Sequence, residues 1–326
     1  MATQLSVIAP RGVSKTFDAA TMLTEWRSAM QSQVDAGELA QATANTYYRG
    51  MTKFSEWATA QNLDRIGPKA LRAWKAGELA RGRKPAGVNV LFAGVRAFFR
   101  WAVAEQGLAY DPTAGVKGAS RKGNTTRHKR DALSDAEVLR VLAQPDRSTV
   151  AGKRDYALLC LLAYTGIRTV EAQRATIGDL HTNGHLKLMV WGKGHSEADE
   201  AVYLMKDILI AAVYDWLAVH PKGDELGASL FCGLGHNNQG NQLTTRMIRG
   251  LVKGYYRAAG IRDPRKTTHS LRHTVVTNLI KHGVAPTRIM SVTRHKSLDT
   301  LINYAHEVER DADPAEAYID YGGPDS

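Results

Sequence analysis

Cysteine is nearly missing from this chain. Only Cys160 and Cys232 occur in 326 residues. They stand far apart, so neither a disulfide framework nor a metal-type pair is expected. Cys160 sits in an apolar run and reads as a reduced core residue, which fits a reducing cytoplasm. Long hydrophobic runs are missing too. No stretch of about 18 apolar residues appears, so no membrane span is expected. Met1 to Thr16 lacks the apolar stretch of a secretion signal. No cluster of carboxylates stands out that would hold Mg²⁺ in a two-metal site. His181 and His185 flank a Thr-Asn-Gly turn and do not read as metal ligands. Gly233-Leu234-Gly235 lacks the lysine of a phosphate-binding loop. No internal repeat is visible.

Positive charge is in excess. Lys and Arg number 43 against 32 acids, giving a formal net charge of +11 and a pI near 9.6. Such an excess favours a polyanionic partner, either nucleic acid or an anionic membrane surface, and charge alone does not choose between them. The length predicts two domains, and 44% hydrophobic residues suffice for a sizeable core.

The expected architecture is mainly α with a small β-hairpin or sheet: a helical bundle, then an α+β domain. Residues 1–16 read as an N-terminal tail and 17–112 as all helix. Phe17 to Gly37 is one amphipathic stretch and Thr43 to Gln61 another, its buried face carrying Tyr47, Met51, Phe54 and Trp57. Pro68 opens a third helix. Val88 to Glu105 is a fourth, stopped by Gly107 and Pro112. Residues 113–131 form a basic linker. From Lys117 to Arg130 there are six cations and no acid: Lys117, Arg121, Lys122, Arg127, Lys129 and Arg130. These could lie along DNA phosphates or merely solvate a tether. The second domain, 132–326, opens on the capping box Ser134-Asp135-Ala136-Glu137. Asp155 to Thr165 is an apolar helix with Gly166 as its stop. His185 to Trp191 and Ala201 to Leu204 alternate as the strands of a hairpin turning at Gly192-Lys193-Gly194.

Five features of this domain form an ordered set: Arg168 with Glu171 in Thr165-Gly166-Ile167-Arg168-Thr169-Val170-Glu171, Lys193, His269 with Arg272 in His269-Ser270-Leu271-Arg272, His295 and Tyr304. Each alone is commonplace. Together they describe one chemistry. Arg168 and Arg272 offer planar forks for the non-bridging oxygens of a phosphate. His269 and His295 can donate hydrogen bonds or move protons near neutral pH. Lys193 could protonate a leaving alkoxide if neighbouring cations depress its pKa. Tyr304 offers a phenolic nucleophile. Its free pKa is about 10, and a cluster of cations both helps remove that proton and stabilises a pentacovalent phosphate. The set describes phosphoryl transfer to a tyrosine, with neither metal nor other cofactor.

In the order R, K, HxxR, H, Y the chain resembles the tyrosine recombinases, the phage-integrase and Xer-type enzymes. The local text is similar too: TGIRTVEA around Arg168, GKG at Lys193, THSLRHT, and RHKSLDTLINYAH running from His295 to Tyr304. TANTYYRGMTKFSEWA and VNVLFAGVRAFFRWAV, followed by Asp111-Pro112, are similar to the family's helical core-binding domain. The resemblance implies that Tyr304 attacks a DNA phosphate, giving a 3′-phosphotyrosyl link and a free 5′-hydroxyl. Lys193 is then the general acid, and Arg168, Arg272, His269 and His295 hold and neutralise the phosphate. His269 is a possible base toward the tyrosine, and Glu171 orients the cluster. It further implies a clamp on duplex DNA, rejoining without ATP, and a tetramer on two sites made by exchange of a C-terminal segment. Whether the chain partners with itself or a paralogue, or needs an accessory protein, is left open. Work in the cytoplasm on nucleoid DNA is expected, with no membrane partner.

Three places depart from the family pattern. Glu197, Asp199 and Glu200 stand where further basic residues are usual, so either this turn points away from DNA or binding is weaker. Arg294 stands where glycine is common before the histidine. It could add a phosphate contact or alter a helix start. After Tyr304 the tail is acidic, reading either as a solvated end or as the exchanged segment docking on a basic surface. Only about 16 residues precede Phe17, too few for an extra arm-binding domain. That favours a simple recombinase for mobile-element movement or dimer resolution. Two other readings stand beside it: an enzyme that relaxes supercoils by the same chemistry, and a non-catalytic DNA-binding protein on the same scaffold.

Overall fold

The computed structural model describes residues 4–7, 15–63, 65–120, 132–191 and 198–294. The chain divides into two compact units, Met1–Thr125 and Thr126–Ser326. Lys193, His295, Tyr304, and five of the six linker cations (all but Lys117) lie outside the described residues.

The first unit is a four-helix bundle with a small sheet. Strand β1 (Gln4–Val7) pairs antiparallel with β2 (Lys15–Asp18) and parallel with β3 (Arg65–Ile66). The expected plain tail over 1–16 and a helix from Phe17 are therefore corrected. Asp18 is the reason the helix begins later. Its carboxylate accepts from the backbone N–H of Ala20 and Thr21, so α1 runs Ala19–Asp35. Helix α2 spans Gln41–Ala60. Helices α3 (Pro68–Ala80) and α4 (Pro85–Glu105) each begin on proline, whose fixed φ suits a first helical turn. Trp26, Met51, Phe54, Trp74, Phe98 and Phe99 fill the centre. Phe54 meets Trp74 edge-on at 5.3 Å, and Trp26 meets Phe98 likewise at 5.3 Å.

Glycine sets how closely α2 and α4 approach. A Cβ on Gly50 would lie 2.2 Å from the carbonyl oxygen of Leu91, and one on Gly94 would lie 2.1 Å from that of Tyr47. Backbone meets backbone at both points, and only hydrogen fits there. Helix α4 is long and apolar enough to cross a membrane. Here its apolar side, including Leu91, Phe92, Val95, Phe98 and Phe99, is buried in the bundle.

The second unit packs helices around a small sheet. Ser134 and Glu137 close the expected capping box on α5 (Asp135–Leu142). Helix α6 (Val150–Thr165) is buried without a break from Asp155 to Leu162 and carries the buried free thiol of Cys160. Gly166 ends it in the left-handed conformation. Helix α7 (Thr169–Arg174) follows. Strands β4 (Leu180–His181), β5 (Lys187–Trp191) and β6 (Ala198–Tyr203) form an antiparallel sheet in chain order. Leu188 and Val190 are buried, as their alternation requires. Strand β6 begins three residues before the expected Ala201, so Asp199 and Glu200 belong to the ladder, Glu200 opposite Val190. Helices α8 (Asp207–Leu217), α9 (Thr245–Ala258), α10 (Thr268–Lys281) and α11 (Pro286–Thr293) complete the unit.

Candidate active site

Arg168 stands at the junction of Gly166 and α7, and Arg272 stands on α10. More than a hundred residues separate them in sequence, and the fold brings both guanidinium groups to one turn. Arg272 is 3% exposed. Its Nη1 donates to the carbonyl of Gly166 at 2.7 Å, and its Nη2 donates to the carbonyl of Thr293. The Nη2 of Arg168 donates to the next carbonyl, that of Arg294, at 2.8 Å. The two arginines are thus pinned on consecutive carbonyls at the end of α11, directly before His295 in the chain.

Local sequence explains this convergence. Gly166 adopts φ 62°, and a Cβ there would press within 3.3 Å of the Val275 side chain and 3.6 Å of Arg272 Cγ. Glycine lets the end of α6 close on α10 and aim its carbonyl at Arg272. Thr274, one turn past Ser270, fastens α10: its hydroxyl donates to Ser270 O at 2.9 Å and accepts from the backbone N–H of Leu133 at 2.8 Å. His269 lies one turn before Arg272 and so shares its side of the helix. It is half-buried, with its ring 5.1 Å from that of His273, edge to face.

Glu171 ties the cluster together. Its carboxylate accepts from the Arg168 backbone N–H at 2.8 Å and from Arg168 Nη1 at 2.6 Å. It also accepts from Arg294 Nη2 at 2.5 Å. Burial pushes the Glu171 pKa up, but Arg294 and Arg168 outweigh it and hold the carboxyl below its usual value. Arg168, 28% exposed, uses two of its side-chain N–H groups on these partners, and a guanidinium has five.

Arg294 joins this cluster from the end of α11. It ends α11 in the left-handed conformation, φ 54°, and its side chain turns inward with 6% exposure. Its carbonyl, and those of Gly166 and Thr293, were not signalled by the sequence, because backbone acceptors have no residue-type signature. The basic linker is visible at its start alone. Lys117 has an exposed side chain, and its carbonyl accepts from Lys75 Nζ. Among the described residues no group of three His, Cys, Asp or Glu gathers to hold a metal ion.

A helical bundle followed by an α+β unit in which two guanidiniums are pinned on consecutive carbonyls is an arrangement suited to holding a phosphate. Residues 132–310 match the phage integrase family and residues 34–106 match the phage integrase N-terminal SAM-like domain, so this chain belongs to the phage integrase family. It is accordingly a tyrosine recombinase, a DNA strand transferase that proceeds through a phosphotyrosine. It is 27% identical over 275 residues to the tyrosine recombinase XerD of Pseudomonas putida, covering 82% of this chain and 87% of that protein. It is 30% identical over 234 residues to a tyrosine recombinase of Synechococcus elongatus, covering 71% and 70%. Among solved structures, XerH recombinase bound to a palindromic difH substrate superposes with a TM-score of 0.71 at 21% identity, covering 93% of this chain and 85% of that one. A lambda integrase tetramer bound to a Holliday junction superposes with a TM-score of 0.66 at 17% identity, covering 91% and 80%.

Proposed function

We propose that this chain is a site-specific recombinase of duplex DNA whose nucleophile is Tyr304 and whose phosphate clamp is built on Arg168 and Arg272. The observation that carries this reading is the pinning of both guanidiniums on the carbonyls of Thr293 and Arg294. Such a pair, fixed before substrate arrives, meets the two non-bridging oxygens without reorganising. The Tyr304 oxygen, losing its proton, forms a bond to phosphorus, and the bond from phosphorus to the 5′-oxygen breaks. Lys193 delivers a proton to that oxygen. His269 and His295 donate to the phosphate, and His269 is the base that takes the phenolic proton. Because the phosphotyrosyl ester keeps the bond energy, attack by a 5′-hydroxyl reverses the steps without ATP.

The partner is double-stranded DNA in the cytoplasm, engaged as a tetramer on two sites. The lambda integrase tetramer on a Holliday junction supports this assembly by likeness of fold, and the XerH complex with a difH substrate supports DNA as the partner. Charge supports it independently. Arg246, Arg249, Lys253 and Arg257 are exposed at helical spacing along α9, a helix with no acidic residue. A stripe of this kind suits a phosphate backbone.

A nicked duplex carrying the target site tests the reading. Wild-type protein is expected to form a covalent protein–DNA adduct that survives SDS and EDTA, and Tyr304→Phe to form none. Binding of the site with no adduct by the wild type would make the chain a DNA-binding protein on this scaffold.

A further inference from the structure

Glu200 and Arg294, both departures from the family pattern, turn out to be linked to Glu171. Glu200 projects from β6, one strand of the hairpin, and Glu171 belongs to α7. Arg294 lies between them. Two nitrogens of its guanidinium are hydrogen-bonded, Nη2 to Glu171 at 2.5 Å and Nη1 to the carbonyl of Val292 at 3.0 Å, while Nε lies 3.3 Å from Glu200 Oε2 as an ion pair without hydrogen-bond geometry. Glu200 is 28% exposed and Glu171 2%, so screening by water is weak on the Glu171 side. Meanwhile the backbone of Arg294 is held at φ 54°, where glycine would be the easier residue. The chain keeps a strained, long, charged side chain at a point where the backbone alone asks for none.

We propose that Arg294 is a positioning residue for the strand-cleavage reaction. It couples the hairpin strand β6, through Glu200, to the Arg168–Glu171 pair. The inference rests on the recombinase reading given above. Its physical content is a division of labour on one carboxylate. Arg294 Nη2 and the Arg168 backbone N–H share Oε2 of Glu171, so the Arg168 guanidinium meets that carboxylate through Nη1 on Oε1 and turns Nη2 to the Arg294 carbonyl. Without the Arg294 side chain, Oε2 keeps the Arg168 backbone N–H but gains a free lone pair, and the Arg168 guanidinium can then rotate into a two-pronged grip on Glu171. That grip turns the fork away from substrate. The ion pair with Glu200 in addition holds strand β6 against this cluster, and Lys193 falls between β5 and β6 in the sequence.

Arg294→Gly isolates the side chain. It keeps the carbonyl that holds Arg168 and relieves the left-handed backbone, so the fold is expected to survive. Single-turnover cleavage of the nicked duplex is expected to slow by about tenfold to a hundredfold, the scale of a misplaced reacting group. Affinity for the same DNA is expected to change by less than about threefold. Arg294→Lys keeps one of the two carboxylate contacts and is expected to recover part of the rate. Glu200→Gln is expected to slow cleavage less, and to add nothing to Arg294→Gly. Wild-type cleavage by Arg294→Gly, a loss confined to affinity, or independent multiplication of the two effects would overturn the proposal. A urea-unfolding cycle over the same four proteins reads the coupling without activity. The double variant's unfolding constant is expected to depart by about tenfold from the product of the single effects. If the wild type forms no adduct, the recombinase reading fails and the unfolding cycle alone decides the coupling; additive unfolding effects would then end this inference too.

Discussion

Glu171 answers to two arginines in a place where water barely reaches it, and its ionisation is therefore linked to folding. Burial favours its neutral form, yet the charges of Arg294 and Arg168 win, and its folded pKa lies below the usual 4.5. A carboxyl depressed in this way contributes stability above its unfolded value, and that contribution is lost as pH falls through the folded value. Glu171→Gln is expected to lose on the order of 3 kcal/mol at pH 7, because two guanidiniums are left facing an amide. The gap between variant and wild type should close progressively below pH 4.5. Urea midpoints measured from pH 7 down to pH 3 check both statements. A gap that stays constant over that range would mean that Glu171 is not the group whose protonation weakens the cluster. At this scale the sequence spoke through side chains alone. Arg168, His269, Arg272 and Glu171 were legible because their chemistry is. The acceptors that aim the two arginines are backbone carbonyls, and Arg294 carried an inward role that no residue-type rule assigns to it.

Among the elements, the α2–α4 crossing depends on two glycines that a pattern reading passes over, because glycine inside a helix registers only as a weak spot. Gly94→Ala places a methyl group 2.1 Å from the Tyr47 carbonyl. Neither backbone can yield without moving a whole helix, so overpacking of about 1–3 kcal/mol or more should outweigh the propensity gain of about 1 kcal/mol. Gly77, within α3, meets nothing within 4 Å, so Gly77→Ala should gain about 0.5–1 kcal/mol. Thermal or urea unfolding of the two variants should therefore move in opposite directions. A shared direction would show that the close approach does not limit the packing. The helices themselves were readable from their 3.6-residue period, and two of their starts from Pro68 and Ser134, whereas α1 begins two residues later than expected, behind Asp18, and α4 three residues earlier, on Pro85. The small sheet of β1, β2 and β3 was not. Four-residue strands give a period of two too few repeats to register, and β3 is two residues long and pairs with a strand from the far end of the unit.

For the whole molecule the dominant fact is an excess of eleven positive charges, and the segment joining the two units holds six of the cations with no acid between them. Its beginning is not a loose tether. Arg96 Nη2 donates to the Val116 carbonyl at 2.5 Å, Lys75 Nζ donates to the Lys117 carbonyl, and the Asn89 amide brackets Ala119, donating to its carbonyl at 3.1 Å and accepting from its N–H at 2.6 Å. Burial, together with the nearby charges of Arg96 and Arg72, lowers the pKa of Lys75. The first unit thus grips the backbone of 116–119 with polar side chains of α3 and α4, while Lys117 itself faces solvent. A grip of that kind fixes where the basic run starts, which a solvated spacer would not need. If the run lies on DNA, each engaged cation releases a counterion, and the slope of log K against log salt carries about 0.9 per phosphate contact. Replacing Lys117, Arg121, Lys122, Arg127, Lys129 and Arg130 by glutamine should therefore flatten the slope by up to about 5. Net charge alone would also weaken binding, so a second variant must separate the two causes. Shuffling residues 120–131 at constant composition keeps the charge, and phosphates read charge without sequence. The shuffled chain should retain the wild-type slope while the neutralised chain loses it. An undiminished slope after neutralisation would place the DNA contacts elsewhere, with the exposed cations of α9 the next surface to remove.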